Sequence, residues 1–413
     1  MSAETKKPSS DREFDIVLFG ATGFTGRLVA EYLAERASGS GVRWALAGRN
    51  KSRLEAVRAY VHVTSGAPRD LPILVADGLD PASVDEVARR TRVVCTTVGP
   101  FAKYGSAVVA ACAKHGTDYC DITGEVHWIR EMIEAHHAEA ERTGARIVHC
   151  CGFDSIPSDL GVFFLDAHLR QRGAHLHEAR YRLKSGQGGV SGGTAASMLA
   201  LMERISDPAV RRAIGDPYAL SPESARGRDK NEPMGPGRDA DTGRFTAPFV
   251  MAGINTRIVR RTNALLDFPY GRDFHYEEKV DTGKGPGGAV AAGLMSAVTG
   301  FTMAAGVTAP GRAILRKVVP QPGEGPNREK REKGSFRVVI HGVASDGERA
   351  TAMVDANRDP GYGATSRMLG EAALCLAQDE LPARGGILTT ASCMGHKLID
   401  RLQPAGVRFS ITD

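Results

Sequence analysis

The chain has 413 residues, of which 42% are hydrophobic and 24% are charged, with a formal net charge of +5. These values are typical of a globular protein and exclude a collagen-like, disordered or disulfide-stapled chain. At roughly 150 residues per domain the length predicts two or three domains, and the small net charge predicts no nucleic-acid partner.

The first 150 residues alternate short apolar strands with amphipathic helices. Strands are predicted at 14–19, 43–47, 71–76, 92–98, 117–122 and 145–149, with a helix after each of the first five. This alternation indicates βαβ units and a parallel sheet. We therefore predict a flexible tail over 1–12 and, over 13–152, an α/β domain of the Rossmann type with a doubly wound parallel sheet.

A different pattern follows after Gly152, where apolar and polar residues alternate with a period of two. Such runs occur at 178–183, 274–280, 336–341 and 350–355, and the last two flank a hairpin signal at 345–348. Alternation is typical of a sheet with one solvated face, which is usually antiparallel. Residues 153–358 are therefore predicted to form a second α+β domain, for substrate binding or dimerisation, with a largely antiparallel sheet. Solvated loops are expected at 221–245 and 320–334.

The C-terminal segment 359–413 contains a predicted helix at 365–378 and a short strand near 407–411. We expect this segment to pack back on the Rossmann domain.

An uncharged stretch runs from 285 to 310 and is long enough to cross a bilayer. Its many Gly, Ala, Ser and Thr residues give little transfer free energy, so we expect a buried or interface helix. Contact with a membrane surface or an acyl chain is the alternative, and a true span is the least favoured.

Seven cysteines, an odd number without a CxxC pair, predict buried thiols in a reducing compartment. The first residues have no apolar core, so no signal peptide is expected and a cytoplasmic location is predicted, with membrane association as an option.

A glycine-rich turn directly follows the first strand and begins the first helix. Its GxxGxxG spacing fits a dinucleotide turn: Gly20 for the tight bend, Gly23 for close approach to the pyrophosphate, and Gly26 for helix–sheet packing. The helix N-terminus adds amide donors for phosphate. The cofactor contacts predicted from this turn are Gly20, Thr22, Gly23, Phe24, Thr25 and Gly26.

The residues at the end of the second strand indicate whether the dinucleotide is NAD or NADP. NAD-binding proteins usually carry an acid there, whereas this chain has Arg49, Asn50 and Lys51 and no acid before Glu55. Arg49 can pair with a 2′-phosphate, so NADP(H) is the predicted cofactor.

Further cofactor contacts are predicted at the ends of the third and fourth strands. Asp77 either accepts a hydrogen bond from adenine or caps its turn. Parallel sheets bind ligands at the carboxyl ends of their strands, which places the 98–101 loop beside the nicotinamide ribose. The residues expected to line the cofactor there are Val98, Gly99, Pro100 and Phe101.

Candidate catalytic residues are Tyr104, Asp154 and Ser155, together with the polar 119–125 loop. Each has an alternative, since Tyr104 fits a packed loop tyrosine and either Asp154 or Ser155 fits a helix N-cap. The turn at 191–194 is either an anion site or a capped helix start. The histidines form no ligand set, so no metal is expected.

The motifs together resemble the saccharopine dehydrogenase-like proteins, and within them the bacterial trans-acting enoyl reductases. The segments that carry the resemblance are VLFGATGFTG at 17–26, AGRN at 47–50, VGPF at 98–101, YCDITGE at 119–125, GFDSIPSDLG at 152–161, SGGT at 191–194 and GGILTTASCMGHKLIDRL at 385–402.

This resemblance implies an NADPH-dependent oxidoreductase that reduces a carbon–carbon double bond of a polyketide or fatty-acyl thioester. It implies a substrate presented by a polyketide synthase acyl carrier, during synthesis of lipids of the phthiocerol and phenolic glycolipid type. Two alternatives stay open: an oxidoreductase acting on an imine or amino acid, and a non-catalytic, lipid-associated NADP-binding protein. A homodimer is the default expectation, and the 285–310 stretch is the expected place of any lipid contact.

Overall fold

The computed structural model describes residues 5–6, 11–187, 192–318, 325 and 327–412, without the side chains of 5–6, 187 and 192–195. The strands are β1 (Thr5–Lys6), β2 (Phe14–Phe19), β3 (Trp44–Gly48), β4 (Ile73–Val75), β5 (Thr91–Thr96), β6 (Asp118–Asp121), β7 (Arg146–Val148), β8 (Leu176–Gln187), β9 (Gly237–Arg238), β10 (Phe245–Pro248), β11 (His275–Gly283), β12 (Ser335–Ala344), β13 (Arg349–Ala356), β14 (Leu381–Pro382), β15 (Gly386–Leu388) and β16 (Arg408–Thr412). The α-helices are α1 (Phe24–Ala37), α2 (Lys51–Ser65), α3 (Pro81–Arg90), α4 (Phe101–Tyr104), α5 (Ser106–His115), α6 (Val126–Thr143), α7 (Ile156–Gln171), α8 (Gly192–Arg204), α9 (Pro208–Gly215), α10 (Ala252–Leu265), α11 (Gly285–Val307), α12 (Ala309–Val318), α13 (Arg328–Lys333), α14 (Thr365–Gln378), α15 (Thr390–Cys393) and α16 (Gly395–Leu402).

The first domain is built on a parallel sheet of seven strands in the order β4-β3-β2-β5-β6-β7-β15. All six residues of β2 are buried, as expected for a central strand with helices on both faces. Chain order reverses between β2 and β5, which creates the crevice where such sheets bind ligands. The predicted Rossmann-type, doubly wound sheet is confirmed.

The second domain holds a sheet of seven strands in the order β16-β13-β12-β8-β11-β10-β9. Only β8 and β11 pair in parallel, and the remaining pairs are antiparallel, so the predicted largely antiparallel sheet is confirmed. Helix α7 packs against β8, β12 and β13. Gly161 lets α7 pack closely on β12, because a Cβ at this position would lie 2.5 Å from Ile340 Cδ1.

The C-terminal segment divides between the two domains. Helix α14 packs against β2, β5, β6 and α1, and β15 extends the parallel sheet beside β7. The last strand, β16, pairs instead with β13 of the second sheet, so the expectation that it packs on the Rossmann domain is wrong. The physical reason is that β13 otherwise presents an open edge, whose unpaired main-chain groups β16 satisfies.

Two further expectations need correction. The loop expected at 320–334 contains helix α13, in which Asn327 caps the first turn by accepting a hydrogen bond from Lys330 N at 2.9 Å. The uncharged stretch forms helix α11, which is largely exposed rather than buried. By length and composition α11 is the one helix among the described residues that is apolar enough to cross a membrane.

Asp159 joins three elements at the domain junction. This fully buried carboxylate on α7 accepts hydrogen bonds from Thr262 Oγ1 of α10, from Thr390 Oγ1 at 2.6 Å and from Ala391 N at 2.8 Å, both of α15. The junction therefore depends on one acceptor that satisfies donors from two other helices.

Asp159→Ala is expected to lower the free energy of unfolding by about 3 kcal/mol, because it leaves several buried donors without an acceptor. Burial, which raises the pKa of Asp159 to about 6, offsets part of what the three bonds contribute. Urea titration followed by circular dichroism measures the loss. Asp400→Ala, at an exposed position of α16, serves as the matched control and should change stability by less than about 0.5 kcal/mol. Equal losses in the two variants would contradict this role.

Candidate active site

The glycine-rich turn between β2 and α1 is shaped by two close backbone approaches. Gly20 adopts a left-handed conformation with φ of +92° and donates its N–H to Ala47 O at 2.9 Å. A Cβ on Gly26 would lie 2.2 Å from Gly20 O, so only glycine lets α1 begin this close to the strand. The turn brings the start of α1 to the carboxyl edge of β2.

The N-terminus of α1 fits a phosphate group. Gly23 stands at the N-cap position and no side chain caps this end, so the first amide groups of the 14-residue helix have no capping acceptor. Thr22 and Thr25 are partly exposed beside them. The glycine cradle and the uncapped helix end together suit the pyrophosphate of a dinucleotide.

The basic residues after β3 have separate roles. Asn50 caps α2, because its Oδ1 accepts from Arg53 N at 3.0 Å and from Ser52 Oγ at 2.8 Å. Arg49 and Lys51 are exposed and form no ion pair with any described residue. Two cations therefore remain available for a phosphate at this edge, whereas Asn50 already acts as a helix cap.

Arg49→Ala is expected to weaken NADPH binding by roughly 10- to 100-fold and leave NADH binding unchanged, since hydrogen bonds to charged groups contribute about 1.5–3 kcal/mol. Fluorescence titration of both dinucleotides measures the effect. Arg69→Ala is the control, because Arg69 is also exposed but follows the other end of α2. Equal losses for NADPH and NADH would contradict contact with the 2′-phosphate.

The loops after β4 and β5 complete the crevice. Asp77 Oδ1 accepts a hydrogen bond from Leu79 N at 3.0 Å, so Asp77 caps its own turn. Its contact with adenine stays a prediction. Val98 packs against the glycine turn, where a Cβ on Gly20 would lie 2.5 Å from its Cγ2. The turn and the 98–101 loop are thus in contact at the point where the chain order of the sheet reverses.

A buried glutamate at the end of the 119–125 loop, which the sequence analysis named as a candidate, holds the 98–101 loop. Glu125 accepts from Phe101 N at 2.8 Å and from Ala102 N at 3.0 Å, which fixes the start of α4 after Gly99 and Pro100. Burial raises its pKa. Phe101 is itself buried and packs on Trp128, so it supports the loop from inside.

Tyr104 is the last residue of α4 and is partly exposed. Its main chain approaches Gly78, beyond β4, and Lys103 Nζ lies 5.1 Å from the centre of its ring. No hydrogen bond among the described residues joins Tyr104 to Asp154 or Ser155. Both roles of Tyr104, a packed loop tyrosine and a proton donor, stay predictions.

Asp121 organises the neighbouring strand ends. This fully buried carboxylate accepts from Tyr119 Oη at 2.8 Å, His149 Nδ1 at 2.7 Å, Thr123 N at 3.0 Å and Cys150 N at 3.1 Å. Cys150 adopts a left-handed φ of 63°, which is unusual for a residue with a side chain. Asp121 thereby holds the bend that leads from β7 to Asp154.

Asp154 and Ser155 follow that bend, at the carboxyl edge of the sheet and against the second domain. Ser155 stands at the N-cap of α7 but its side chain makes no capping bond, and its Oγ lies 3.0 Å from Asn255 Oδ1. Asp154 is half-buried, and burial alone raises its pKa to about 6. Burial raises the pKa values of Cys150 and Tyr181, and the charge of Asp154 raises them further. Asp154 is therefore a partly exposed carboxyl with a raised pKa at the edge of the sheet.

A second buried carboxyl lies behind Ser155. Asn255 Nδ2 donates to Glu278 Oε2 at 2.9 Å, and Tyr276 Oη donates to Glu278 Oε1 at 2.7 Å. Burial raises the pKa of Glu278 to about 7. Neither Asn255 nor Glu278 could be predicted as a site residue from the sequence, because both reach the site from the second domain.

Thiol and metal chemistry find little support in the described part of the chain. All seven cysteines are free and buried, and burial holds the pKa of Cys150 and Cys151 well above the usual thiol value. No group of three or more His, Cys, Asp or Glu side chains there has the arrangement of a metal site.

Parts of the second half of the chain also reach the cofactor crevice. The ring of Phe24 in the glycine turn lies 5.1 Å from that of Tyr362 and 5.6 Å from the guanidinium of Arg331 on α13. Ser197 of α8 approaches Gly99 and hydrogen-bonds to Glu125. Of the predicted 191–194 turn, Ser191 and the side chains of the next three residues lie outside the described part.

Comparison with known proteins agrees with this architecture. The saccharopine dehydrogenase NADP-binding domain family matches residues 16–148. Trans-acting enoyl reductases of Mycobacterium ulcerans and of Mycobacterium tuberculosis are 42% and 41% identical, each over 98% of this chain and 99% of its own length. The apo saccharopine dehydrogenase (L-Glu forming) of Saccharomyces cerevisiae has a TM-score of 0.54 at 12% identity, covering 96% of this chain and 99% of its own, which shows the shared fold alone.

The doubly wound sheet, the glycine turn and the NADP-binding domain define an NADP-dependent oxidoreductase with NADP(H) as its cofactor. The likeness extends over nearly the whole chain. The chain belongs to the trans-acting enoyl reductase family, within the saccharopine dehydrogenase-like proteins.

Proposed function

We propose that this protein uses NADPH to reduce the carbon–carbon double bond of an α,β-unsaturated acyl thioester. The name shared by relatives at 41–42% identity supports enoyl reduction, and the acid at Asp154 supports the protonation step that such a reduction requires. The glycine turn, the N-terminus of α1 and Arg49 would hold the dinucleotide. NADPH, when bound, supplies a hydride.

The chain's own contribution to the chemistry is the proton. Addition of hydride at the β-carbon forms a C–H bond and moves the π electrons toward the thioester carbonyl, giving an enolate. Asp154 then loses its O–H proton to the α-carbon, which gives the saturated thioester and the Asp154 carboxylate. Solvent returns the proton, since the side chain is partly exposed. A pKa of about 6 suits an acid that gives and regains a proton near neutral pH.

The single observation that carries the choice of substrate is that the buried arginines of α10, the helix that brings Asn255 to Ser155, are bound by protein groups. The arginines of α10 bind protein groups: Arg257 the carbonyl oxygens of Ile214 and Asp216, Arg260 the carboxylate of Asp229, and Arg261 the carbonyl oxygens of Leu220 and Ile387. These cations are therefore not available for an amino-acid carboxylate, which favours an uncharged reacting group.

The biological setting forms part of the same proposal. A polyketide synthase acyl carrier presents the thioester in the cytoplasm, and the product enters a complex lipid of the phthiocerol or phenolic glycolipid type. We further propose a homodimer as the working state.

The test is NADPH oxidation at 340 nm with purified protein and a panel of substrates. The panel contains trans-2-enoyl thioesters of increasing chain length on coenzyme A and on an acyl carrier, with keto acids plus ammonia and small cyclic imines as the competing arm. Turnover of enoyl thioesters alone is expected. Turnover confined to the imine or keto-acid arm would overturn the proposal in favour of the amino-acid alternative.

Tight NADPH binding without consumption under any condition would favour the non-catalytic alternative. Acyl-carrier substrates that react faster than the matching coenzyme A esters would support presentation by a carrier.

A further inference from the structure

Helix α11 buries small residues and exposes large apolar ones, whereas a surface helix of a water-soluble domain usually buries its large apolar residues. Its buried positions carry small residues, namely Gly288, Ala292, Ser296 and Gly306. These positions pack closely on the protein, since a Cβ on Gly288 would lie 2.6 Å from Gly283 O and one on Gly306 would lie 2.1 Å from Met202 Sδ. The inward face therefore has no room for large side chains.

The large apolar residues of α11 point to solvent instead. Val290, Leu294, Val298 and Phe301 follow one another at helical spacing and are 70%, 65%, 57% and 75% exposed. Ile314 and Val318 continue the exposed apolar surface on α12, which packs on α11 and has no buried residue. A continuous exposed surface of this kind marks a site of interaction rather than a core. We call these six residues the apolar face.

The charged residues of the α11–α12 segment itself have a single sign. From 284 to 318 the chain contains no Asp or Glu, and its charged residues are Lys284, Arg312, Arg316 and Lys317. Arg316 forms an ion pair with Glu203 of α8, whereas Lys284 and Lys317 are exposed at the two ends of the α11–α12 pair. An apolar face bordered by cations is complementary to a bilayer that carries anionic lipid.

From these observations we propose that the α11–α12 pair is a docking surface for an anionic lipid bilayer, on which the protein lies without crossing it. Helix α11 packs along β10 and β11, so the second sheet occupies one side of it and only the opposite face reaches lipid. A second copy of the chain fits less well, because a two-fold contact would place the face against itself with no acid from 284–318 to pair with its cations.

The docking surface lies one helix away from the active site. Helix α8 packs against both α11 and α12, and its Ser197 approaches Gly99 of the cofactor loop. The proposal does not require reductase activity. If that activity holds, the arrangement places the crevice near the bilayer from which a long acyl chain would come.

The test is co-sedimentation of the full chain with sucrose-loaded vesicles. One set contains phosphatidylcholine alone and the other contains phosphatidylcholine mixed with phosphatidylglycerol. Wild-type protein is expected to pellet with the anionic vesicles and to be released by high salt. Phe301→Asp is expected to reduce the bound-to-free ratio at least about tenfold, because it places a charge in the apolar face. Lys317→Glu should reduce binding to the anionic vesicles only.

Val63→Asp is the matched control. It adds the same charge at an exposed valine of α2, 83% accessible and on the other domain, and should bind vesicles as wild type does. NADPH titration of every variant shows that the cofactor domain is folded.

Three outcomes would overturn the proposal: wild-type protein that stays in the supernatant, Phe301→Asp protein that pellets like wild type, or equal binding to the neutral vesicles. Sedimentation equilibrium without vesicles completes the test. If Phe301→Asp splits a wild-type dimer that does not bind vesicles, the face belongs to a second copy.

Discussion

Replacing Asp154 with asparagine is expected to lower kcat for enoyl-thioester reduction by roughly 10²- to 10⁴-fold, the usual contribution of a general acid. Asparagine keeps the size of the side chain but has no acidic proton to give to the α-carbon. The affinity for NADPH should stay as in wild type, because Asp154 lies beyond β7 and not in the glycine turn. Stopped-flow NADPH oxidation with saturating substrate measures the loss.

Asp166→Asn provides the matched control. Asp166 is also a buried carboxyl of the same region whose pKa burial raises to about 6, but it lies farther along α7 beside Arg170. This variant should keep kcat within a few-fold. A similar fall in both variants would show that the loss comes from the fold and not from the proton transfer.

The pH dependence of kcat checks the same role in the unmodified protein. Asp154 donates only when it is protonated, so kcat should decrease as pH rises through about 6, where its carboxyl loses the proton. The decrease should approach tenfold per pH unit above that point. In Asp154→Asn the residual rate should not follow this decline, and a variant that still follows it would assign the acid elsewhere.

Gly26→Ala is expected to weaken NADPH binding by roughly 10- to 100-fold, because overpacking of this kind costs about 1–3 kcal/mol. The added Cβ would lie 2.2 Å from Gly20 O, a main-chain atom, so the turn itself has to move. The start of α1 then no longer aligns its amide groups with the pyrophosphate. Isothermal titration with NADPH measures the affinity.

Two further alanine variants show whether a loss of NADPH affinity comes from the distorted turn, from the approach of the phosphate or from alanine itself. Gly253→Ala, in α10, places its Cβ where no atom lies within 4 Å, so it should leave binding unchanged and should not lower stability. Gly23→Ala meets only Gly20 O at 3.4 Å, so the turn should keep its shape and any loss of affinity reports the approach of the phosphate. A wild-type affinity in Gly26→Ala would show that the turn does not hold the dinucleotide.

The cofactor half could be predicted because its signals are local. The period of two or 3.6 in apolar residues sets each strand and helix, and β2, α1 and α3 lie where the sequence predicted them. The GxxGxxG motif is also a local signal, since contacts within one short turn require glycine at positions 20 and 26. The basic residues after β3 likewise follow their strand directly.

The catalytic assignments were less predictable because they depend on contacts between distant segments. Asn255 and Glu278 lie about 100 residues or more beyond Ser155 in the chain, and only folding brings them together. The main chain of Tyr104 approaches Gly78, and its role as a packed loop tyrosine or a proton donor stays a prediction. The same limit explains β16, whose apolar alternation predicted a strand but not which sheet it would join.

The Rossmann-type sheet and the glycine turn after β2 could be read from the sequence because neighbouring residues encode both, and the motifs resembled the enoyl reductase family. The raised pKa of Asp154 and the outward orientation of the large apolar residues of α11 became apparent from the fold. Burial is a property of the assembled domains, so neighbouring residues do not encode it. The same carboxyl group or the same uncharged helix has a different chemistry depending on what the rest of the chain packs against it.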